Sequence, residues 1–294
     1  MKIRRIKKRR IRPKHLIRTA GWLLVLLGLL LVYSVKIEPN LLLVRHYQLQ
    51  GETAGTETIR LAQISDIQIG ENYSMKQLQR VVNKIEKQQP DMILFTGDLF
   101  ENYAVCGAEA EAEVTALLGR LQAPLGKYAV WGNRDYGGGA ERTYAAVMED
   151  AGFTLLKNEN WYITLNNGKR VLFTGLDDAL LGHPVMPDET KIYDSDYELL
   201  LSHEPDNVEP YMNYDYDIAL SGHSHGGQIN IPFLPFVNEM ALTVTALSSK
   251  YSGGMYTFDD NAIKQLYVNT GIGTTHISAR FGVVPEVTLF HIYV

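Results

Sequence analysis

Residues 216–225 read YDIALSGHSH, a short apolar run that stops at a glycine and then delivers two histidines, His223 and His225, one residue apart. Four to eight apolar residues bounded by turn residues suit a strand buried on both faces. Working outward, the same shape recurs five times: IRLAQISD (59–66), DMILFTGD (91–98), KYAVWGNRD (127–135), RVLFTGLDD (170–178) and YELLLSHEPD (197–206). Between the first two of these, residues 74–87 (SMKQLQRVVNKIEK) set Met75, Leu78, Val81, Val82 and Ile85 at helical spacing behind Ser74, which predicts a capped amphipathic helix. Further helices are predicted over 108–121 and 139–151. Strands alternating with helices predict an α/β fold with covered sheet faces, whose polar groups gather where the strands end.

Taken singly, the residues at those ends are unremarkable turn formers and caps. Together Asp66, Gln68, Asp98, Asn133, His203, His223 and His225 bring two carboxylates, three imidazoles and two amides to one sheet edge, the composition of a metal site with oxygen and nitrogen ligands. The lone Cys106 excludes an intramolecular disulfide and a cysteine-based zinc module.

In order along the chain, Asp66-Ile67-Gln68, Gly97-Asp98-Leu99-Phe100, Gly132-Asn133-Arg134-Asp135, His203 and Gly222-His223-Ser224-His225 match five motif blocks. The chain thereby resembles the calcineurin-like metallophosphoesterase superfamily from about residue 59 to its end. The strings SGHSHGGQI and GNRDYGGG look like its membrane-associated bacterial branch, which includes relatives acting on phospholipids and nucleotide-linked glycolipids. The resemblance implies a four-layer α/β sandwich of two mixed β-sheets flanked by helices. It also implies phosphoester hydrolysis, of a phosphodiester or diphosphate, by a water activated between two divalent ions: Mn first, with Fe, Zn or Mg as alternatives. It assigns Asp98 to bridge the two ions, Asp66, Gln68 and His225 to the first, and Asn133, His203 and His223 to the second. Two positions depart from the family pattern, which has histidine where this chain has Gln68 and Arg134. An amide oxygen is a harder ligand than imidazole and tilts the first site toward Mn or Mg. An arginine is permanently protonated, so Arg134 cannot act as a general acid but can grip two phosphoryl oxygens. Asp98 and Arg134 are the expected catalytic residues.

Secondary expectations concern residues near those ends. Tyr136 to Gly139 forms a turn that joins strand to helix or lets substrate approach, residues 229–237 (INIPFLPFV) form an apolar lip at the site edge facing the membrane or an acyl chain, and Asp177, Asp178 and His183 follow another strand end, where they cap a loop or lie near the site. His276 and Arg280 are candidates for touching substrate.

The N-terminus carries a separate message. Residues 1–18 hold ten of the 28 cations and none of the 33 anions, so the remaining 18 cations leave residues 19–294 at −15, although the whole chain is only −5. An acidic body is a poor collector of nucleic-acid phosphates. The 17 residues 19–35 (TAGWLLVLLGLLLVYSV) carry no charge, reach about 25 Å as a helix, and with snorkelling flanks match the bilayer core. The expected organisation is a basic cytoplasmic tail (1–18), a transmembrane anchor (19–37), a linker with one strand through 41–47 (38–57), and a metallophosphoesterase domain (58–294). The cationic flank places that domain outside the cytoplasm of a single-pass membrane protein. The expected partners are the membrane and a phosphoester substrate, with a lipid-linked one favoured by the anchor. Two alternatives stand: a secreted enzyme cleaved after Val35, and a catalytically silent protein that binds a phosphorylated ligand.

Overall fold

The computed structural model describes residues 13–50, 58–71 and 73–294. Positions 1–12 of the expected basic tail and positions 51–57 of the expected linker lie outside the described residues. Helix α1 (Pro13–Val32) runs through a π-helical turn (Tyr33–Ile37) and a 3-10 turn (Glu38–Asn40) into β1 (Leu43–Gln50). There follow β2 (Thr58–Ile64), α2 (Met75–Glu86), β3 (Met92–Phe95), α3 (Tyr103–Gly119), β4 (Lys127–Ala129), α4 (Asn133–Tyr136), α5 (Tyr144–Asp150), β5 (Thr154–Leu155) and β6 (Glu159–Thr164). The second half adds β7 (Arg170–Gly175), β8 (Tyr197–Leu201), β9 (Ile218–Ser221), α6 (Pro235–Val244), β10 (Gly254–Thr257), β11 (Gln265–Val268) and β12 (Glu286–Tyr293).

All six sequence runs become strands: β2, β3, β4, β7, β8 and β9. They divide between two six-stranded mixed sheets, ordered β1-β12-β2-β3-β4-β5 and β10-β11-β9-β8-β7-β6. Within each triplet the neighbours are parallel, so their carboxyl ends share an edge. Side-chain alternation then sorts each strand into two layers. Ile59, Leu61, Met92, Leu94, Leu199, Leu201, Leu220 and Phe290 fill the space between the sheets. Ala62, Ile64, Ile93 and Phe95 face the other way, onto Leu78, Val82 and Ile85 of α2, Leu118 of α3 and Val147 of α5. The outer face of the second sheet, including Leu172, Leu200 and Ala219, is covered by Ile192, Val208, Tyr216 and Tyr251 from 3-10 turns and loops.

Helix α2 starts where expected: Ser74 caps it, its backbone N–H donating to Gln77 Oε1 at 2.7 Å. Helix α3 begins five residues earlier than the periodicity indicated, because Tyr103 packs edge-on to Phe100 at 5.3 Å and donates its hydroxyl to Glu111 at 2.6 Å. Helix α5 begins five residues later, because Gly138 and Gly139 sit at φ of 61° and 86° and break the helical path. The larger correction is to the linker. Glu38 is buried and accepts the Val283 N–H at 2.7 Å. β1 pairs in parallel with β12 over its whole length. Residues 38–50 are thus built into the globular domain. Their half-exposed edge-strand pattern made them look like a tether.

Phe290 lies between the sheets against Tyr267 (ring centroids 5.2 Å) and Tyr47 (5.8 Å). Phe290→Ala is expected to cost about 3–5 kcal/mol, read as a lowered denaturation midpoint of the full chain in detergent.

Candidate metal centre

Every expected ligand falls in the few residues after a strand: Asp66 and Gln68 after β2, Asp98 after β3, Asn133 after β4, His203 after β8, and His223 and His225 after β9. The backbone there is strained in a common way. Asp66, Gln68, Asp98, His223 and His225 hold φ of 50°, 51°, 64°, 65° and 49°, the left-handed region that costs a non-glycine residue about 1–3 kcal/mol. That strain turns each side chain out of the strand direction and into a shared hollow. Close approach needs glycine at two points: a Cβ on Gly222 would collide with Ser65 and Asp66, and one on Gly132 with Asp98.

Two groupings result. In the first, His225 Nε2 lies 3.4 Å from Asp66 Oδ1 and 3.4 Å from Gln68 Nε2. In the second, His203 Nε2 lies 3.3 Å from Asp98 Oδ1 and 3.2 Å from His223 Nδ1, the cluster being wholly buried. Ligand atoms each about 2.1 Å from one ion and at right or tetrahedral angles stand roughly 3.0–3.4 Å apart, so the Asp66–His225, Asp98–His203 and His203–His223 pairs have the edge length of a coordination shell, while the Gln68 amide nitrogen is a donor and not a ligand. The hydrogen-bond inventory agrees with this. Asp66 Oδ1, Gln68 Oε1 and Asn133 Oδ1 are buried with no hydrogen-bond partner, a costly state for a polar atom unless something else satisfies it. They are three of eleven such buried side-chain oxygens among the described residues, and the three that belong to expected ligands. Gln68 donates its amide nitrogen to Asp98 Oδ2 at 2.7 Å, which turns its unpaired oxygen toward the hollow and links the two groupings.

Backbone carbonyls orient the imidazoles. His203 Nδ1 faces Thr96 O at 2.6 Å and His223 Nε2 faces Ala246 O at 2.6 Å. A proton on those nitrogens leaves His223 Nδ1 free to ligate, and His203 Nε2 as well once the proton it shares with Asp98 is displaced. Burial, then His203, lowers His223 to about 4. Burial, then the Arg280 guanidinium, lowers His225 as well. Both rings are therefore neutral near pH 7, the form that binds cations. Burial pushes Asp66 up to about 7. Burial also opposes the charges of Asp98 and His203, but their mutual attraction outweighs it, lowering the carboxyl and raising the imidazole. A divalent cation there would take the place of the imidazolium proton.

Arg134 lies at the mouth of the site. Its backbone N–H donates to Asp98 Oδ1 at 2.8 Å, and its guanidinium donates to Thr275 Oγ1 at 3.1 Å with Glu101 at 3.5 Å. Asp177 and Asp178 stay out of the centre and cap their loop, as expected. Asp177 accepts from Tyr136 Oη at 2.5 Å and His183 N at 2.9 Å, and Asp178 from the N–H groups of Leu180, Leu181 and Gly182. His276 is exposed at the mouth, near Glu101. Arg280 departs from expectation. It is fully buried, donates to the carbonyls of Gly273, Thr270 and Val283, and backs onto His225 Nδ1 at 3.3 Å, so it has no surface to offer a substrate.

The residue the motif reading passed over is Asp135. Its buried carboxylate accepts the N–H groups of Asp98 (2.8 Å), Leu99 (2.9 Å) and Gly132 (2.9 Å), clasping the loops after β3 and β4 together. Its place as the last residue of the Gly132–Asp135 block was the available signal. Asp135→Ala orphans three buried donors and is expected to destabilise by about 3–5 kcal/mol, with metal content of the purified full chain falling alongside. Unchanged metal content and midpoint would remove the clasp from this account.

A family model of calcineurin-like phosphoesterases matches residues 59–227. The chain is 31% identical over 261 residues to the uncharacterized metallophosphoesterase YkuE of Bacillus subtilis, covering 88% of each. It is 27% identical over 315 residues to the UDP-2,3-diacylglucosamine pyrophosphatase LpxG of Chlamydia trachomatis, covering 88% of this chain and 91% of that one. A second Bacillus subtilis metallophosphoesterase, YkoQ, is 32% identical over 210 residues, 70% of this chain and 74% of its own.

Proposed function

The chain belongs to the calcineurin-like phosphoesterase family, and on that footing we propose that it is a membrane-anchored, dimetal hydrolase of phosphoesters whose substrate is a lipid-linked or cell-envelope phosphodiester or diphosphate. The observations that carry the metal reading are the buried, unpartnered oxygens on Asp66, Gln68 and Asn133 and the coordination spacing of His225 from Asp66, of His203 from Asp98 and of His223 from His203. Asp66, Gln68 and His225 would hold one ion, Asn133, His203 and His223 the other, with Asp98 between them. Manganese suits this set because hard oxygens predominate at the first site. Such ions, when bound, supply Lewis acidity toward phosphoryl oxygens and lower the pKa of water.

The protein's own groups do the rest. Asp98 is fixed from two sides, by the Arg134 backbone N–H and the Gln68 amide. The Arg134 guanidinium, steadied by Thr275 and Glu101 and still partly exposed, is placed to grip phosphoryl oxygens and to stabilise charge that grows on them. It has no proton to give at working pH, so departure of the leaving group goes without acid assistance. Diphosphates and activated diesters, whose leaving groups are good, suit such a site. The LpxG relative, a pyrophosphatase by name, supports a diphosphate.

Among the described residues one helical stretch, Ile17–Asn40, which starts in α1 and runs on past it, is long and apolar enough to cross a membrane, with mean hydropathy 2.1 and the apolar side chains of residues 22–32 exposed. It supports a single-pass anchor (19–37) behind a basic cytoplasmic tail (1–18), with the catalytic domain extracytoplasmic.

The full chain, purified in detergent and loaded with Mn, is expected to bind about two ions per chain and to hydrolyse a generic aryl phosphodiester, with Asp98→Asn at least 100-fold slower by the usual scale of lost charge stabilisation. Turnover equal to that of Asp98→Asn across diverse phosphoesters would leave only a phosphate-binding role. For Arg134, rates should fall steeply as leaving-group pKa rises, and Arg134→His should flatten that slope. A slope already flat and unchanged by the substitution rules out the clamp.

A further inference from the structure

Helix α6 carries an apolar face that the fold does not use. Phe236, Met240 and Val244, at four-residue spacing, are 53%, 65% and 68% exposed, while Leu242 on the opposite side is buried. Phe233, just before the helix, is 99% exposed at a φ of 68°, so a strained backbone holds a bare aromatic ring out into solvent. A row of large apolar side chains on one face of a surface helix normally marks a covered surface.

Hydrogen bonds connect this helix to the end of α1 in three short steps. Ser34, two residues past α1, accepts the Arg280 N–H at 2.9 Å, and Tyr33 packs edge-on to Phe281 at 6.2 Å. Phe281 in turn pairs with the next segment, donating to Gln228 O at 2.9 Å and accepting from Asn230 N at 2.7 Å. Asn238 of α6 then donates to the carbonyls of Gly226 (2.8 Å) and Ile229 (3.2 Å). Two backbone-paired segments and the hydrogen bonds of one side chain thus link α6 to the stretch that follows α1. Between α6 and the metal centre lies a pocket of about 190 Å³ lined by His225, Gln228, Ile229, Ala241, Val244 and Ile277.

We propose that the Phe233–Val244 face of α6 docks into the surface of the lipid bilayer that α1 spans, so that the pocket beside His225 opens at the membrane and takes substrate from the lipid phase. The inference rests on the reading of α1 as an anchor. Its occupant is lipid because the chain itself ties this face to a membrane helix through the Arg280–Phe281 segment. The face adds no cation of its own, which makes the contact one of apolar side chains seated at the headgroup boundary.

The test uses the full chain in nanodiscs of phosphatidylethanolamine and phosphatidylglycerol, in a Cys106→Ser background, with a polarity-sensitive fluorophore on one introduced cysteine at a time. Doxyl-labelled lipids, shallow or deep, serve as quenchers. With shallow doxyl lipid the emission from Phe236→Cys and Met240→Cys is expected to fall about two-fold, while Tyr193→Cys, exposed elsewhere on the domain, stays unchanged. Leu27→Cys in α1 reports the anchor through deep doxyl lipid. If position 27 is quenched while 236 and 240 behave like 193, the docking is wrong and the anchor stands. If position 27 is not quenched, the anchor reading fails and the docking falls with it. Protection of 236 and 240 from aqueous iodide in both detergent and nanodiscs, without lipid quenching, would assign the face to a second copy of the chain and overturn the proposal.

Discussion

One buried carboxylate holds the centre of this structure in register. Asp135 accepts N–H groups from the loops after β3 and β4, and the neighbouring Arg134 N–H accompanies it by donating to Asp98. A short, four-residue helix, α4, therefore fastens two adjacent strand ends and aims the carboxylate that lies between the two ligand groupings. Parallel pairing within each sheet then brings the other contributors to the same edge: β2 delivers Asp66 and Gln68 beside Asp98, while β8 and β9 deliver the histidines from across the sandwich. Asp66 bridges the two sheets directly, its Oδ2 accepting the His223 N–H at 3.0 Å.

The energetic logic is a trade between core and site. Both faces of the strands are buried in apolar layers, and that burial supports conformations the expected ligand residues would not adopt alone. Five of them occupy left-handed backbone, and three of their oxygens lack hydrogen bonds. A core mutation in such a protein has a double effect, because the strain at the strand ends is held only as firmly as the sheets beneath them. The two departures from the family pattern fit the same economy. Gln68 keeps an oxygen for the hollow and uses its nitrogen to bind Asp98, and Arg134 keeps the backbone contact to Asp98 whatever its side chain does.

Arg280 ties the site to the N-terminal helix. Its side chain backs His225 and its backbone meets Ser34, while the adjacent Val283 is held by Glu38. The segment that leaves the apolar helix is thus built into the wall of the catalytic domain, three hydrogen-bonded steps from α6. A helix attached in this way leaves the domain in a fixed direction, which a flexible tether would not.

Much of this was legible in the residues themselves. Six apolar runs with polar ends determined six strands, the placement of Ser74 before an amphipathic repeat determined α2, and the ordered blocks around Asp66, Asp98, Asn133, His203, His223 and His225 determined which side chains would meet. These are local signals, carried by period, turn chemistry and spacing. What only the tertiary structure decided depends on contacts between distant segments. The three N–H groups that Asp135 clasps come from two loops. The strand expected within the linker at 41–47 appears as β1 but belongs to the domain, because β12, more than two hundred residues on, supplies its partner. Arg280 was a candidate for touching substrate and is instead buried against a histidine 55 residues earlier. Residues 229–237 already read as an apolar lip, but the exposed face that α6 continues from it, and its links to the end of α1, exist only in the folded chain. Hydrogen-bond partners, and the side of a helix left uncovered, are properties of the assembled chain, and no local stretch contains them.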